Sequence, residues 1–118
     1  MTSKSNNQHT TVWGKWDVLL ETKYCKVKKI TVNPNHRLSY QTHQKRQEQW
    51  TIVQGTATII LNDKKHLLTV GESIFIPKQT PHRIGNTTEI PLIFIEVQTG
   101  SYFGEDDIIR LEDDYNRQ

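Results

Sequence analysis

The sequence predicts an all-β domain of barrel or sandwich type, a jelly roll, on three observations. Short runs rich in Val, Ile, Thr and aromatic residues recur from Trp16 onward, turn residues interrupt them every several positions, and no segment of ordinary helix length is amphipathic. At 118 residues the chain supplies one hydrophobic core and not two, so 11–118 reads as a single domain behind a polar, flexible tail over 1–10.

Taken in order, strands are expected near 16–21, 24–32, 37–43, 48–54, 56–62, 65–70, 73–76, 82–86 and 90–98. Asn33-Pro34-Asn35 marks a turn, and Asn62-Asp63 marks a hairpin joining 56–62 to 65–70. Thr80-Pro81 precedes 82–86 and points to an edge or rim position for that strand, because proline cannot donate to a ladder. In 90–98, Leu92, Phe94, Glu96 and Gln98 share one face, opposite Ile93, Ile95 and Val97. Both faces are largely apolar, so one should meet the barrel interior and the other a second sheet or a second subunit. Trp50 is expected in the core. After Gly104, the acidic Glu105-Asp106-Asp107 precede Ile108, Ile109 and Leu111, a pattern that suits a short helix or a turn.

Composition excludes several function classes. Fifteen basic against thirteen acidic residues leave a net charge of +2, with the basic residues scattered rather than striped, which argues against a nucleic-acid partner. No apolar run approaches the roughly 20 residues that cross a bilayer, so no membrane partner is expected. The single cysteine, Cys25, cannot form an intrachain disulfide, and Met1 to Thr10 lacks the apolar core of a signal peptide; a cytoplasmic location follows as the expectation.

Four residues carry chemistry. Gln41-Thr42-His43 puts two donor side chains on one face of a strand, Glu48 opens the next apolar strand, and His82 opens another. Either histidine alone would be an ordinary polar residue. Together, one amide, two imidazoles and one carboxylate make a first shell for a divalent metal, zinc in the first place, with manganese, cobalt or nickel as alternatives. Glu96 beside Phe94 would be a carboxylate in apolar surroundings, which requires a partner, a metal or a raised pKa.

The segment from Asn35 to Gly55 resembles the first cupin motif, with Gln41 where many cupins have histidine, and Gly71 to Asn86 resembles the second. Further matches widen the resemblance: Trp13-Gly14, Arg46-x-Glu48-x-Trp50, Ile76-Pro77, Thr80-Pro81-His82-Arg83 and the tail from Gly100 through Arg110 to Arg117 look like the type II phosphomannose isomerase domain. The resemblance covers about 12–117. It implies the cupin double-stranded β-helix and the interconversion of mannose 6-phosphate and fructose 6-phosphate, in mannose and GDP-mannose metabolism. In that family the domain is often fused behind a mannose-1-phosphate guanylyltransferase; these 118 residues hold no such domain, so only the isomerase half is implied. Small cupins commonly pair their sheets, so a homodimer is expected. A non-catalytic cupin that binds a sugar phosphate or a partner enzyme is the alternative.

The chain departs from the family pattern. The histidine-rich stretch after His43 reads Gln44-Lys45-Arg46 here, and the histidine usual after Glu48 is Gln49, a position read here as beside the site and a candidate proton carrier. Asn35, Gln79 and Asn116 stand where glycines are expected.

Aldose–ketose isomerisation moves a proton between C2 and C1 through an enediol. Two neutral imidazoles, a neutral amide and one carboxylate would leave a zinc site about +1, suited to stabilising the negative charge that develops. Four protein ligands close a structural zinc site, so catalysis requires expansion to five or more. For the phosphate, Arg46 is expected at the pocket mouth, with Arg110 and Arg117 in the tail and Lys26 and Lys28 as further candidates. The resemblance favours Arg110 as a catalytic or phosphate-binding residue. Glu96 is the first candidate for the base, with Lys26 or a metal-bound hydroxide as alternatives.

Overall fold

The computed structural model describes residues 8–117. Twelve strands form among them: β1 Gln8–Thr10, β2 Gly14–Glu21, β3 Cys25–Val32, β4 His36–Arg37, β5 Tyr40–Thr42, β6 Arg46–Gln54, β7 Ala57–Leu61, β8 Lys64–Leu68, β9 Ser73–Ile76, β10 His82–Asn86, β11 Leu92–Gly100 and β12 Ile109–Glu112. They build two antiparallel sheets, one ordered β1-β2-β3-β11-β6-β9 and the other β12-β5-β10-β7-β8, with β4 also paired to β10. The two-sheet jelly roll expected from the sequence is what forms.

Strict alternation makes the barrel. Along β3 every second residue (Lys26, Lys28, Ile30, Val32) is buried, and along β11 so are Leu92, Phe94, Glu96 and Gln98. Register places these residues in rows across the sheet. One row joins Ile30, Phe94 and Ile52; the next joins Lys28, Glu96 and Trp50; a third joins Lys26, Gln98 and Glu48. The interior therefore runs from an apolar floor to an ionisable end over two residue steps. The floor is closed from the other sheet by Ala57, Ile59 and Ile84.

The Asn62-Asp63 hairpin forms as expected, with both residues at positive φ (51° and 68°), the geometry that a two-residue hairpin loop requires. Asn35, Gln79 and Asn116 also take positive φ (62°, 61° and 57°), so the backbone keeps the left-handed turn at all three places where the family pattern has glycine.

Three expectations need correction. Residues 1–7 of the expected flexible tail lie outside the described residues, but its last three form β1, paired with β2 from Gln8 opposite Asp17 to Thr10 opposite Lys15. Of the short helix or turn expected in the tail, the turn forms, at 105–106, and β12 then pairs with β5, Arg110 lying opposite Gln41. Strand β10 is not at an edge. It lies between β7 and the β4–β5 side, and Pro81 sits one residue before it, where its missing N–H costs no ladder bond and its carbonyl accepts from Asn62 N. Finally, of the two covers expected for the outer face of β11, a second sheet or a second subunit, no second sheet is found among the described residues. A row of Leu20, Val27, Val97, Gln49 and Phe75 crosses that face, with Leu20 and Phe75 about half exposed.

Candidate metal centre

His43, Glu48 and His82 converge at the ionisable end of the barrel, each buried, with ligand atoms all within 4.8 Å of one another. Three different elements deliver them. Glu48 comes from β6, where parity turns it inward with Trp50; His82 is the first residue of β10; His43 follows β5, where the chain turns into β6. Gly100 permits that turn to seat closely: at φ 144°, a Cβ there would collide with the Lys45 carbonyl and the Arg46 Cα.

Both imidazoles are oriented from behind. His43 Nδ1 lies 2.6 Å from the Asp107 carbonyl and His82 Nδ1 2.8 Å from the Thr80 carbonyl, so each Nδ1 carries the donated proton and each Nε2 keeps its lone pair. The Asp107 carboxylate in turn accepts from the Gln44 and Lys45 backbone amides, tying the tail segment to the His43 turn. Burial lowers the pKa of both histidines, His43 to about 4, while Glu48 is held well below the usual carboxylate range by His43, Arg46 and His82 in spite of its burial. Two neutral imidazoles and one carboxylate are the protonation states that a metal ligand set needs.

The fit to a cation rests on one further atom. His82 Nε2 is buried and has no hydrogen-bond partner. An orphaned imidazole lone pair beside a carboxylate and a second imidazole is a costly arrangement unless a cation completes it. Gln41 stands at the rim of the cluster, its Nε2 3.3 Å from His43 Nε2 and its Oε1 accepting from the Ser39 hydroxyl. Turning that amide over would present Oε1 to the same point, with Ser39 accepting instead of donating. The donor set predicted from the sequence is thus brought together.

Arg46 is not at a mouth. It is buried, donating from Nε to Glu48 Oε2 at 2.8 Å and reaching His43 Nε2 from Nη2 at 3.3 Å. The latter contact and a metal would compete for one lone pair, so cation binding requires the guanidinium to release His43.

Glu96 sits behind Glu48. The Trp50 indole N–H donates to Glu48 Oε1 at 2.9 Å and to Glu96 Oε1 at 3.1 Å, and Gln98 Nε2 donates to Glu96 Oε2 at 2.6 Å. Burial, reinforced by the Glu48 charge, pushes the Glu96 carboxyl up to about 8.

A cavity of about 120 Å³ opens from this cluster, with Gln41, His43, Arg46 and Glu96 on one side and Lys28, Arg110 and Arg117 on the other. All the cationic candidates except Lys26 line it directly; Lys26 is buried one row away, its ammonium on the same carboxylate as that of Lys28. Arg117 is held by two side-chain contacts to Asp113, at 2.8 and 3.0 Å. Burial and the neighbouring Arg117 lower the Arg110 pKa. A larger hollow of about 390 Å³ lies on the outer face of the second sheet, around Arg37, Arg83 and Gly85, away from the metal donors.

Arg46 apart, the departures from the family pattern point away from this cavity. Gln44, Lys45 and Gln49 are all exposed, and Gln49 faces outward opposite Phe75 and Val97, so the position is not beside the site as the sequence suggested. Sequence reasoning saw in Glu105 and Asp107 only residues suited to a helix start or a turn, and missed what they bind. Their partners lie more than 60 residues away, and only their spacing from the Arg110 strand hinted at a folded role.

Comparison with known proteins shows the family and the fold of the chain. A family model described as mannose-6-phosphate isomerase C-terminal matches residues 2–113. The alginate biosynthesis protein AlgA of Pseudomonas aeruginosa is 50% identical over 105 residues, covering 89% of this chain and 22% of that protein. A mannose-1-phosphate guanylyltransferase of Klebsiella pneumoniae is 46% identical with the same coverage. The chain thus spans about a fifth of the length of these curated relatives. Among solved structures, an uncharacterized Klebsiella pneumoniae protein with a double-stranded β-helix domain superposes with a TM-score of 0.72 at 23% identity, over 82% of this chain and 83% of that one, a likeness of fold.

Proposed function

The chain belongs to the mannose-6-phosphate isomerase C-terminal family, and from that premise we propose that it is a metal-dependent aldose–ketose isomerase interconverting mannose 6-phosphate and fructose 6-phosphate. The buried His43, Glu48 and His82 cluster with its orphaned His82 Nε2 carries the proposal. Those three residues, joined by Gln41, hold the cation, with zinc the first choice for two imidazoles and a carboxylate. The chemistry a divalent cation supplies there is positive charge beside the sugar oxygens, where negative charge builds as the enediol forms.

The remaining steps belong to side chains. A carboxyl poised near pH 8 both gives and takes a proton around neutrality, which suits Glu96 to carry the C2 proton to C1. In the forward direction the C2–H bond breaks, the C1 carbonyl oxygen gains a proton to give the enediol, C1 is then protonated, and the C2 hydroxyl loses its proton to become the ketone. Arg110, Arg46, Arg117 and Lys28 line the space left for the phosphate, with Lys26 one row away on the same carboxylate as Lys28, and a phosphate needs several cations. The residues whose departure favoured a non-catalytic binder, Lys45 and Gln49, face away from the cavity. A cytoplasmic location is part of the proposal, as the setting of a sugar-phosphate reaction and of the unpaired Cys25 thiol. The apolar outer row around Val97 supports a homodimer, tested by sedimentation equilibrium; a monomer at all concentrations contradicts it.

Incubating protein loaded with zinc, manganese, cobalt or nickel with mannose 6-phosphate and following fructose 6-phosphate tests the reaction. Turnover is expected with at least one ion, and no turnover with any of them favours the binder. Arg110→Ala should keep its metal and lower kcat/KM by about 100-fold, since a charge-assisted phosphate contact is lost; unchanged kinetics would remove Arg110 from the site.

A further inference from the structure

The segment 101–108 lies across the open end of the barrel and is pinned there by charge. Glu105 Oε2 accepts from Lys28 Nζ at 2.7 Å and from Lys26 Nζ at 3.1 Å, and the Phe103 carbonyl accepts from Lys26 at 3.3 Å. Gly104 O takes Arg46 Nη1 at 3.5 Å. The two lysine side chains are 9% and 5% exposed, so their ammonium groups are nearly out of water, and Lys28 also stands 3.8 Å over the Trp16 ring. Glu105 is different: its side chain is 47% exposed.

Two buried ammonium groups converging on one carboxylate oxygen, with Arg46 close by, form a seat for a multivalent oxyanion rather than for one carboxylate. A tetrahedral dianion offers more acceptor oxygens and more charge than Glu105 does. The half-exposed Glu105 can leave into water at little desolvation cost, whereas the lysines, fixed in the barrel wall, cannot follow it. Space requires the same movement. The cavity is about 120 Å³, short of the roughly 300 Å³ at which pockets for small organic molecules begin. The strap is anchored at both ends, by Ser101 N on the Lys45 carbonyl and the buried Phe103 side chain on one side and by Asp107 on the other, so the part free to move is 104–106, where Glu105 is exposed.

We infer that the Glu105 carboxylate is an internal stand-in for the phosphate of the substrate, occupying the Lys26–Lys28 seat until a phosphate displaces it and the strap around Gly104 swings outward. This rests on the sugar-phosphate reading above and adds to it which cations take the phosphate and what must leave. Glu105 competes from within the same molecule, so its removal strengthens anion binding, while loss of either lysine weakens it.

The test is calorimetric titration of the metal-loaded chain with inorganic phosphate at low ionic strength. Glu105→Gln should bind phosphate about tenfold more tightly than the wild type, and adding Lys28→Met to it should reverse the gain. Equal or weaker binding by Glu105→Gln, with a cooperative thermal melt showing it folded, overturns the inference. Should that variant not fold, the wild type decides: saturating phosphate is expected to speed amide hydrogen exchange at Asp107, whose N–H donates to the Gly104 carbonyl, and unchanged protection there in the phosphate-bound protein contradicts displacement. Failure is separable from failure of the proposed reaction. A chain that binds phosphate as expected without isomerising mannose 6-phosphate keeps this inference and loses the reaction; a chain that isomerises with Glu105→Gln phosphate affinity unchanged loses this inference alone.

Discussion

Within one sheet, neighbouring rows of inward residues differ completely in kind. Ile30, Phe94 and Ile52 meet as hydrocarbon, and two residues along the same three strands Lys28, Glu96 and Trp50 meet as an ammonium, a carboxyl and an indole N–H. The backbone of both rows is the same antiparallel ladder. The first row gains free energy by excluding water, and the second is tolerable only because each polar group has a partner: Lys28 on Glu105, Glu96 on Gln98 and Trp50. The floor therefore carries the stability of the fold and the far end carries its chemistry, and substitutions in the two should separate accordingly.

The largest effect expected is on the floor. Phe94→Ala removes a fully buried ring that packs on Trp50 at 5.3 Å between centroids, and should cost about 3–5 kcal/mol in denaturant unfolding while metal stoichiometry survives at low temperature. A Phe94→Ala protein that loses metal without losing stability would erase the distinction between the two ends.

Next in size is the pH dependence of the metal-free protein. His43 and His82 accept protons in the fold only below their ordinary 6.5, so the folded chain binds fewer protons than the unfolded one as pH falls through that value. Glu96, raised to about 8 from 4.5, holds its proton in the fold when the unfolded chain has released it. Between 4.5 and 6.5 the unfolded chain holds up to two more protons on the histidines and one fewer on Glu96, so stability rises with pH, by up to about 1.4 kcal/mol per unit. From 6.5 to 8 Glu96 alone contributes, and stability falls. A melting series should peak near pH 6.5; a flat or rising profile up to pH 8 would mean that Glu96 is ionised in the fold.

The smallest effect is in the turn from β9 to β10, which lies at the ionisable end but supplies none of its donors. Gln79 holds φ 61° while its N–H donates to the His43 carbonyl at 2.7 Å, so Gln79→Gly should relieve about 1 kcal/mol of left-handed strain without touching a donor. A lower melting temperature would show that the Gln79 side chain compensates for its backbone.

Period-two alternation made most of this legible in the sequence. It placed Glu48 with Trp50 and Glu96 with Gln98 on inward faces, and it put Gln41 and His43 together, because side-chain direction in a strand is set locally. What escaped is non-local. The Gln-His-Thr of β1 has no apolar residue, and it is a strand only because β2 offers a free edge. The acidic stretch before Arg110 suited a helix or a turn, but not its partners: Asp107 is spent on two backbone amides of the His43 turn and Glu105 on two lysines from β3. Arg46 looked like a mouth residue because charged side chains are rarely buried, and it is buried because Glu48 is there to pair with it. Conversely, Gln49 looked close to the chemistry by sequence distance from Glu48, and one residue of strand parity puts it outside.

Elemental analysis of the purified chain beside His82→Ala tests the central claim most directly. One divalent ion per chain is predicted for the natural sequence and essentially none for the variant, both proteins giving the same β-type circular dichroism. Equal metal content in the two, or isomerase turnover undiminished in His82→Ala, would contradict the account.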